Sequence, residues 1–430
     1  MTKYPFQISI LPSGLRIITA EMPHMESVAI GVWACVGGRY EPAEVSGISH
    51  FVEHMNFKGT ARRSSLKISQ AIESVGGVIN GFTGEEATCY YVKVRYPKFK
   101  NALDVILDLY FHSRFDPVEL DRERDVIKEE IRMYNDVPQQ IVYDDFNSII
   151  WRNHPLGRSL LGTFDSIDNL SRRKLNTFRN QYYTTANTII SVAGNIRHDA
   201  VINLVADYTR GLRSSSRDLP PEFKPFRSAQ RAPRFHIRHK PVEQAHAIAG
   251  FRTFGRTDPR RFQLRLLSTI LGENMSSRLN HEIREKRGIA YSVHSQVTRY
   301  IETGTLQITI ATEPGKLVKA LELIMRMCRS IAEKGVTATE LRHAREFVRG
   351  NVGLALERTT DHMIWLGESL LTSATVLTIE DIMAGYDLVT LDDIQAVARH
   401  VFELKALNLA VTSPACERPE LETAITGLSS

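Results

Sequence analysis

The sequence predicts an α+β fold: two related domains from an internal duplication, each a mostly antiparallel sheet packed with helices. Three observations carry this. At 430 residues the chain is too long for one typical domain. A segment from Gly211 to Pro233 holds Ser214-Ser215-Ser216, Pro220-Pro221, Pro225 and Pro233 with little periodicity, and divides the chain into halves of similar length. Each half alternates strand-like and amphipathic helical stretches in a similar order. The expected division is an N-terminal domain over 1–210, a linker over 211–233 and a C-terminal domain over 234–430.

Strand signals begin almost at once, at Gln7–Ile10 and Leu15–Ile18. The next informative stretch is His50-Phe51-Val52-Glu53-His54, which reads H-x-x-E-H. On a helix, residues i and i+4 share a face, so His50 and His54 can point two imidazoles at one metal ion. Glu53 then projects beside the metal, where a carboxylate can take a proton from a metal-bound water. The alternative is an amphipathic helix whose histidines are satisfied by hydrogen bonds. The metal reading needs a third ligand.

Beyond it, Gly76-Gly77-Val78-Ile79-Asn80 leads to a strand at Tyr90–Val94 and a helix through Leu103–Leu107. The stretch from Pro117 to Tyr134 opens with proline, carries acids early and sets Leu120, Ile127, Ile131 and Tyr134 on one narrow helical face. Glu123 and Glu130 lie at the edge of that face, seven residues apart, as half-buried carboxylates that need a partner. Glu129 falls on the opposite, solvated side with Arg122, Asp125 and Arg132.

The second half repeats the order. Arg287–Tyr291 leads to a strand at Leu306–Ile310, then Pro314-Gly315-Lys316 and a helix with Leu317, Leu321 and Ile324 on its apolar face. It contains no H-x-x-E-H and so no second metal site. His112, His154, His236, His239, His246, His281 and His294 are isolated and read as surface or structural residues. The tail after Pro414 is expected to be at most partly ordered.

Composition narrows the function classes. Hydrophobic residues make up 43% and charged residues 24%, as in globular proteins, and no apolar run approaches the ~18 residues of a membrane helix. A net charge of +5 on 54 cationic and 49 anionic side chains, with no basic stripe, argues against nucleic acid. Cys35, Cys89, Cys328 and Cys416 are scattered and fit a reducing compartment. No signal, transit or transmembrane segment is evident, so a cytoplasmic location is expected.

H-x-x-E-H followed by Glu123-Arg124-Asp125-Val126-Ile127-x-x-Glu130, with Glu130 76 positions beyond His54, resembles the pitrilysin/insulysin (inverzincin) zinc metallopeptidases. Within them it is most similar to the short branch of mitochondrial processing peptidase and its bacterial relatives. The resemblance implies one Zn²⁺ per chain held by His50, His54 and Glu130, with Glu53 as general base and Glu123 as an accessory acid. It implies two related α+β domains and an endopeptidase cutting unfolded peptides in a closed chamber. Leu271–Leu279 running into Ile283–Val293 is similar to the family's substrate-contact motif, with Arg284 and Tyr291 as the Arg and Tyr. Without that context the pair reads as a surface arginine and a core-edge tyrosine.

Asn80-Gly81-Phe82-Thr83 matches a segment that begins the substrate-pairing edge strand. Asn-Gly alone equally reads as a turn. The chain length fits the branch that assembles from subunits, which implies a homodimer with two complete sites, or one half of a hetero-oligomeric processing peptidase. A catalytically silent scaffold subunit is the alternative in another class. The glycine-rich loop of the non-catalytic processing-peptidase subunit is not evident near Leu271–Asn274, so presequence specificity is not implied.

Overall fold

Two sheets organise the chain and repeat one strand order. The computed structural model describes residues 5–212, 222–372 and 376–426. The central part of the expected linker, with its serine run and Pro220-Pro221, lies outside the described residues. The first sheet contains β1 (Phe6–Ile10), β2 (Arg16–Glu21), β3 (Ser27–Ala34), β4 (Val78–Thr83), β5 (Thr88–Arg95) and β6 (Thr188–Gly194), ordered β1-β2-β6-β3-β5-β4. Only β2 and β6 pair in parallel. The second contains β7 (Arg234–His239), β8 (Ala245–Phe254), β9 (Ala290–Arg299), β10 (Thr303–Thr312) and β11 (Asn408–Ser413), ordered β7-β11-β8-β10-β9. Its parallel pair is β7 and β11.

Apart from β1 the two orders correspond strand for strand, with the parallel pair in the same place. This is the duplication expected from the sequence. Central strands such as β3 (SVAIGVWA) and β6 (TIISVAG) are buried almost throughout and accordingly read as near-continuous small and apolar runs. The edge strand β4 alternates in exposure.

The chain divides into two compact units, and neither is one continuous run. The first draws on 1–132, 158–224 and 353–380, the second on 133–157, 225–352 and 381–430. The expected boundaries, one passage through 211–233, do not include this exchange. Its cause is packing. In the second unit the helix Pro138–Ile150 lies on β7, β8 and β11, burying Val142, Phe146 and Ile150 with Ile248 and Ala410. In the first unit the helix Thr359–Thr372 lies on β2, β3 and β6, burying Met363, Leu366 and Leu370 with Ile18, Ala29 and Trp33. The approach is close enough to require glycine: a Cβ at Gly31 would lie 2.3 Å from Met363 Sδ. Gly250, in the corresponding strand of the second unit, faces Phe146 in the same way, at 2.4 Å.

The tail corrects one expectation. Among the described residues after Pro414, Arg418–Thr426 is a helix whose Leu421 and Ile425 join the second unit's core. Its apolar spacing is too short to stand out in the sequence, and burial against the helix Leu317–Lys334 supplies the stability. The four cysteines are free and buried. Among the described residues no helix is long and apolar enough to cross a membrane.

Candidate metal centre

Two helices of the first unit carry the centre. The first, α1 (Ile48–Asn56), buries eight of its nine residues, including the polar side chains of Ser49, His50, Glu53 and Asn56. Burial of so many polar groups on one short helix marks a site rather than a packing element. Its N-cap, Gly47, sits at φ +89° and has no side chain with which to cap the helix. The buried Glu41 carboxylate caps it from a distance, accepting from Gly47 N–H and Ser49 N–H at 2.8 Å each. The second helix, α2 (Pro117–Asp136), buries Leu120, Ile127 and Ile131 on the face expected from their spacing. Glu123 is buried and Glu130 half-buried on that side, while Glu129 is exposed and paired with Arg132.

The structure brings three ligand atoms together. His50 Nε2 and His54 Nε2 lie 3.1 Å apart, and Glu130 Oε2 is 3.7 Å from the first and 3.8 Å from the second. Ligand atoms bound about 2.0–2.1 Å from one tetrahedral zinc stand about 3.3 Å from each other, so this triangle has the right size. It is the one such group of His, Cys, Asp and Glu among the described residues. Glu123 Oε1 lies 2.8 Å from His54 Nδ1, which assigns the ring proton to Nδ1 and leaves the Nε2 lone pair directed at its two neighbours. Two imidazole nitrogens and a carboxylate converging in this way fit a borderline-soft divalent cation.

Burial and neighbouring charge act differently on the members of this group. Burial, with His54 beside it, pulls the His50 imidazole down to about 3, so its lone pair is available at neutral pH. Burial also works to lower His54, but its hydrogen bond to Glu123 and the surrounding carboxylates outweigh this and raise it. Burial pushes both Glu53 and Glu130 above the usual carboxylate range. It does the same to Glu123, where the hydrogen bonds from His54 and Lys58 win and hold the carboxyl low.

Glu53 is buried beside the triangle, and its Oε2 accepts from the Thr83 hydroxyl. Thr83 ends β4, the outer strand of the sheet, so Asn80 and Gly81 lie within an edge strand and not in a turn. Gly81 N–H donates to the Asn80 side-chain oxygen at 2.8 Å, and β4 is the last strand of its sheet, with an open outer edge among the described residues. A β-carbon at Gly81 would lie 3.1 Å from Glu53 Oε1.

Arg284 and Tyr291 belong to the second unit. Arg284 lies in the wide π-helical winding Asn280–Glu285, with Nη1 3.7 Å from Met275 Sδ, and Tyr291 lies on the edge strand β9. Tyr291 is 58% exposed, so it is not the core-edge residue its sequence context alone suggests. Sequence reasoning missed Glu41, Lys58 and the grip of Thr83 on Glu53. No local signal reveals them, because each partner is distant along the chain or on another element.

Comparison with known proteins bears on this centre. Residues 16–164 match the model of insulinase-type peptidases, family M16, and residues 169–348 match that of the M16 inactive domain. An uncharacterised zinc protease of Mycobacterium leprae is 36% identical over 96% of this chain and 92% of its own length. Another, from Bacillus subtilis, is 36% identical over 95% of this chain and 98% of its own length. The chain belongs to the M16 peptidase family. The M16 fold extends over the described structure: a protease from Helicobacter pylori superposes with a TM-score of 0.90 at 22% identity, covering 96% of this chain and all of that one. The M16 assignment also matches the asymmetry of the halves. H-x-x-E-H lies inside the peptidase match, and the half without it falls in the match to the inactive domain.

Proposed function

We propose that the protein is a zinc endopeptidase that cuts unfolded peptide segments within a closed chamber. The observation that carries the reading is the triangle of His50 Nε2, His54 Nε2 and Glu130 Oε2 with the Glu53 carboxylate beside it. His50, His54 and Glu130 would hold one zinc ion per chain, three protein ligands being the number that leaves a coordination position for chemistry. A zinc ion there lowers the pKa of water and polarises the scissile carbonyl.

The remaining work falls to the chain. Glu53 removes the proton of the attacking water and returns it to the leaving amine. Burial raises its proton affinity toward that task, and the Thr83 hydroxyl fixes one oxygen so that the other is presented. Glu123 orients His54 and is not itself a ligand. Asn80 and Gly81 lie on a strand with an open edge, which suits main-chain pairing with an extended peptide and selects unfolded segments. Arg284 and Tyr291, both solvent-accessible, are assigned to holding the peptide backbone and the developing oxyanion. The assembly we assign is a homodimer, which builds two equivalent sites.

Cleavage of a quenched fluorescent peptide mixture, with chelator and then zinc added back, tests this. Activity lost with chelator and restored by zinc is the expected result. Glu53→Gln should retain zinc and lose ~10²–10⁴-fold in turnover. Normal cleavage by that variant sinks the assignment, as a fully active monomer in light scattering sinks the dimer.

A further inference from the structure

Lys58 follows α1 directly, one residue past its C-cap Phe57. Its ammonium contacts Glu123 Oε2, while Glu123 Oε1 faces His54 Nδ1 at 2.8 Å. The two oxygens of one buried carboxylate are thus divided between a cation and an imidazole N–H. The side chain of Glu123 is only 4% exposed, against 28% for Lys58. A carboxylate so deeply placed cannot count on solvent to satisfy its second oxygen, and an unsatisfied one is costly. With both oxygens held, the carboxylate plane is held too, and with it the His54 ring.

We propose that Lys58 is a positioning residue for the metal site, acting on His54 through Glu123. The inference rests on the reading of His50, His54 and Glu130 as zinc ligands. Lys58 does not touch the ligand triangle. It determines where the Glu123 carboxylate lies, and Glu123 determines the tautomer and direction of one ligand ring. Outer partners of this kind typically contribute 10–100-fold to metal affinity. A flexible ammonium suits the role because it reaches the carboxylate from the solvent side without itself being buried. The sequence offers no hint of it: Lys58 and Glu123 are 65 positions apart and meet only because α1 and α2 pack together.

The test is zinc affinity, measured on the full chain by competition with a chromophoric chelator, together with the absorption spectrum of the Co²⁺-loaded protein. Lys58→Met should weaken zinc binding ~10–100-fold and alter the Co²⁺ spectrum, with the metal-free far-UV circular dichroism unchanged. Lys58→Arg, which keeps the charge, should recover most of the loss. In a Glu123→Gln background Lys58→Met should add nothing, because its route to His54 is already broken. Unchanged affinity in Lys58→Met overturns the proposal, and so does an equal loss in the Glu123→Gln background. Should Lys58→Met not fold, Lys58→Gln carries the same comparison. The underlying reading is checked separately: if the wild type takes no zinc, or Glu130→Gln takes it as tightly, the ligand assignment fails and this inference falls with it.

Discussion

Gly81 sits against Glu53: a β-carbon built at Gly81 would lie 3.1 Å from Glu53 Oε1, 3.1 Å from Phe57 Cε2 and 3.3 Å from the Cys89 carbonyl oxygen. The edge strand and the buried carboxylate therefore share one space. Alanine there needs the Glu53 carboxylate, the Phe57 ring and the Cys89 carbonyl each to give by a few tenths of an ångström. Valine adds two methyl groups with no such room. We expect Gly81→Ala to keep activity within about threefold and Gly81→Val to lose about tenfold or more in kcat, since small misplacements of a catalytic group are costly. Zinc content should stay stoichiometric in both. Peptidase kinetics beside metal analysis decide this, and an active Gly81→Val argues against the shared space.

Adjacent glutamates on α2 should behave oppositely. Glu130 Oε2 belongs to the ligand triangle, whereas the Glu129 side chain is 69% exposed and pairs with Arg132. Glu130→Gln should lose most of its zinc on dialysis. Glu129→Gln should retain it, with stability changed by no more than about 0.5 kcal/mol. Elemental analysis of the two dialysed proteins separates the cases, and equal zinc in both refutes the assignment of Glu130.

Glu41 caps α1 without belonging to it. Glu41→Ala leaves the Gly47 and Ser49 N–H groups unsatisfied in a buried place. The cost expected for such groups is about 1–3 kcal/mol. Glu41→Gln should be intermediate, because an amide offers one acceptor oxygen where the carboxylate offers two. Denaturant midpoints of the metal-free proteins measure the order wild type, Gln, Ala. An unchanged midpoint in Glu41→Ala would show that the helix does not depend on this cap.

A pH dependence follows from Glu340 and Arg278 in the second unit. Burial acts to raise the Glu340 carboxyl, but Arg278, bound through Nε at 2.7 Å and Nη2 at 2.9 Å, and Thr337 together bring it to about 2. A carboxylate lowered on folding contributes stability that is fully present above its ordinary value of 4.5. That contribution fades as pH falls from there toward about 2. Glu340→Gln should therefore be less stable than wild type at pH 6–8 by about 1–2 kcal/mol, after screening by solvent at this partly exposed pair. The difference should shrink steadily below pH 4.5. A gap that widens on acidification would contradict the sign.

Residues close in sequence were readable because local geometry joins them. His50 and His54 share a helix face by their spacing alone, and the amphipathic period of α2 separates Glu123 and Glu130 from Glu129 without any knowledge of the fold. The α+β class and the duplication were legible for the same reason, since strand and helix periods recur in order through both halves. What only the tertiary structure decided depends on contacts between distant residues. The exchange of the helices Pro138–Ile150 and Thr359–Thr372 between units comes from side-chain shape against glycines in β3 and β8, which has no sequence period. The cap by Glu41, the hold of Thr83 on Glu53 and the reach of Lys58 to Glu123 follow from strand register and helix packing. A one-residue slip in β4 would move Thr83 to the other face of the sheet. Periodicity placed the candidate ligands, and long-range packing decided what holds them still.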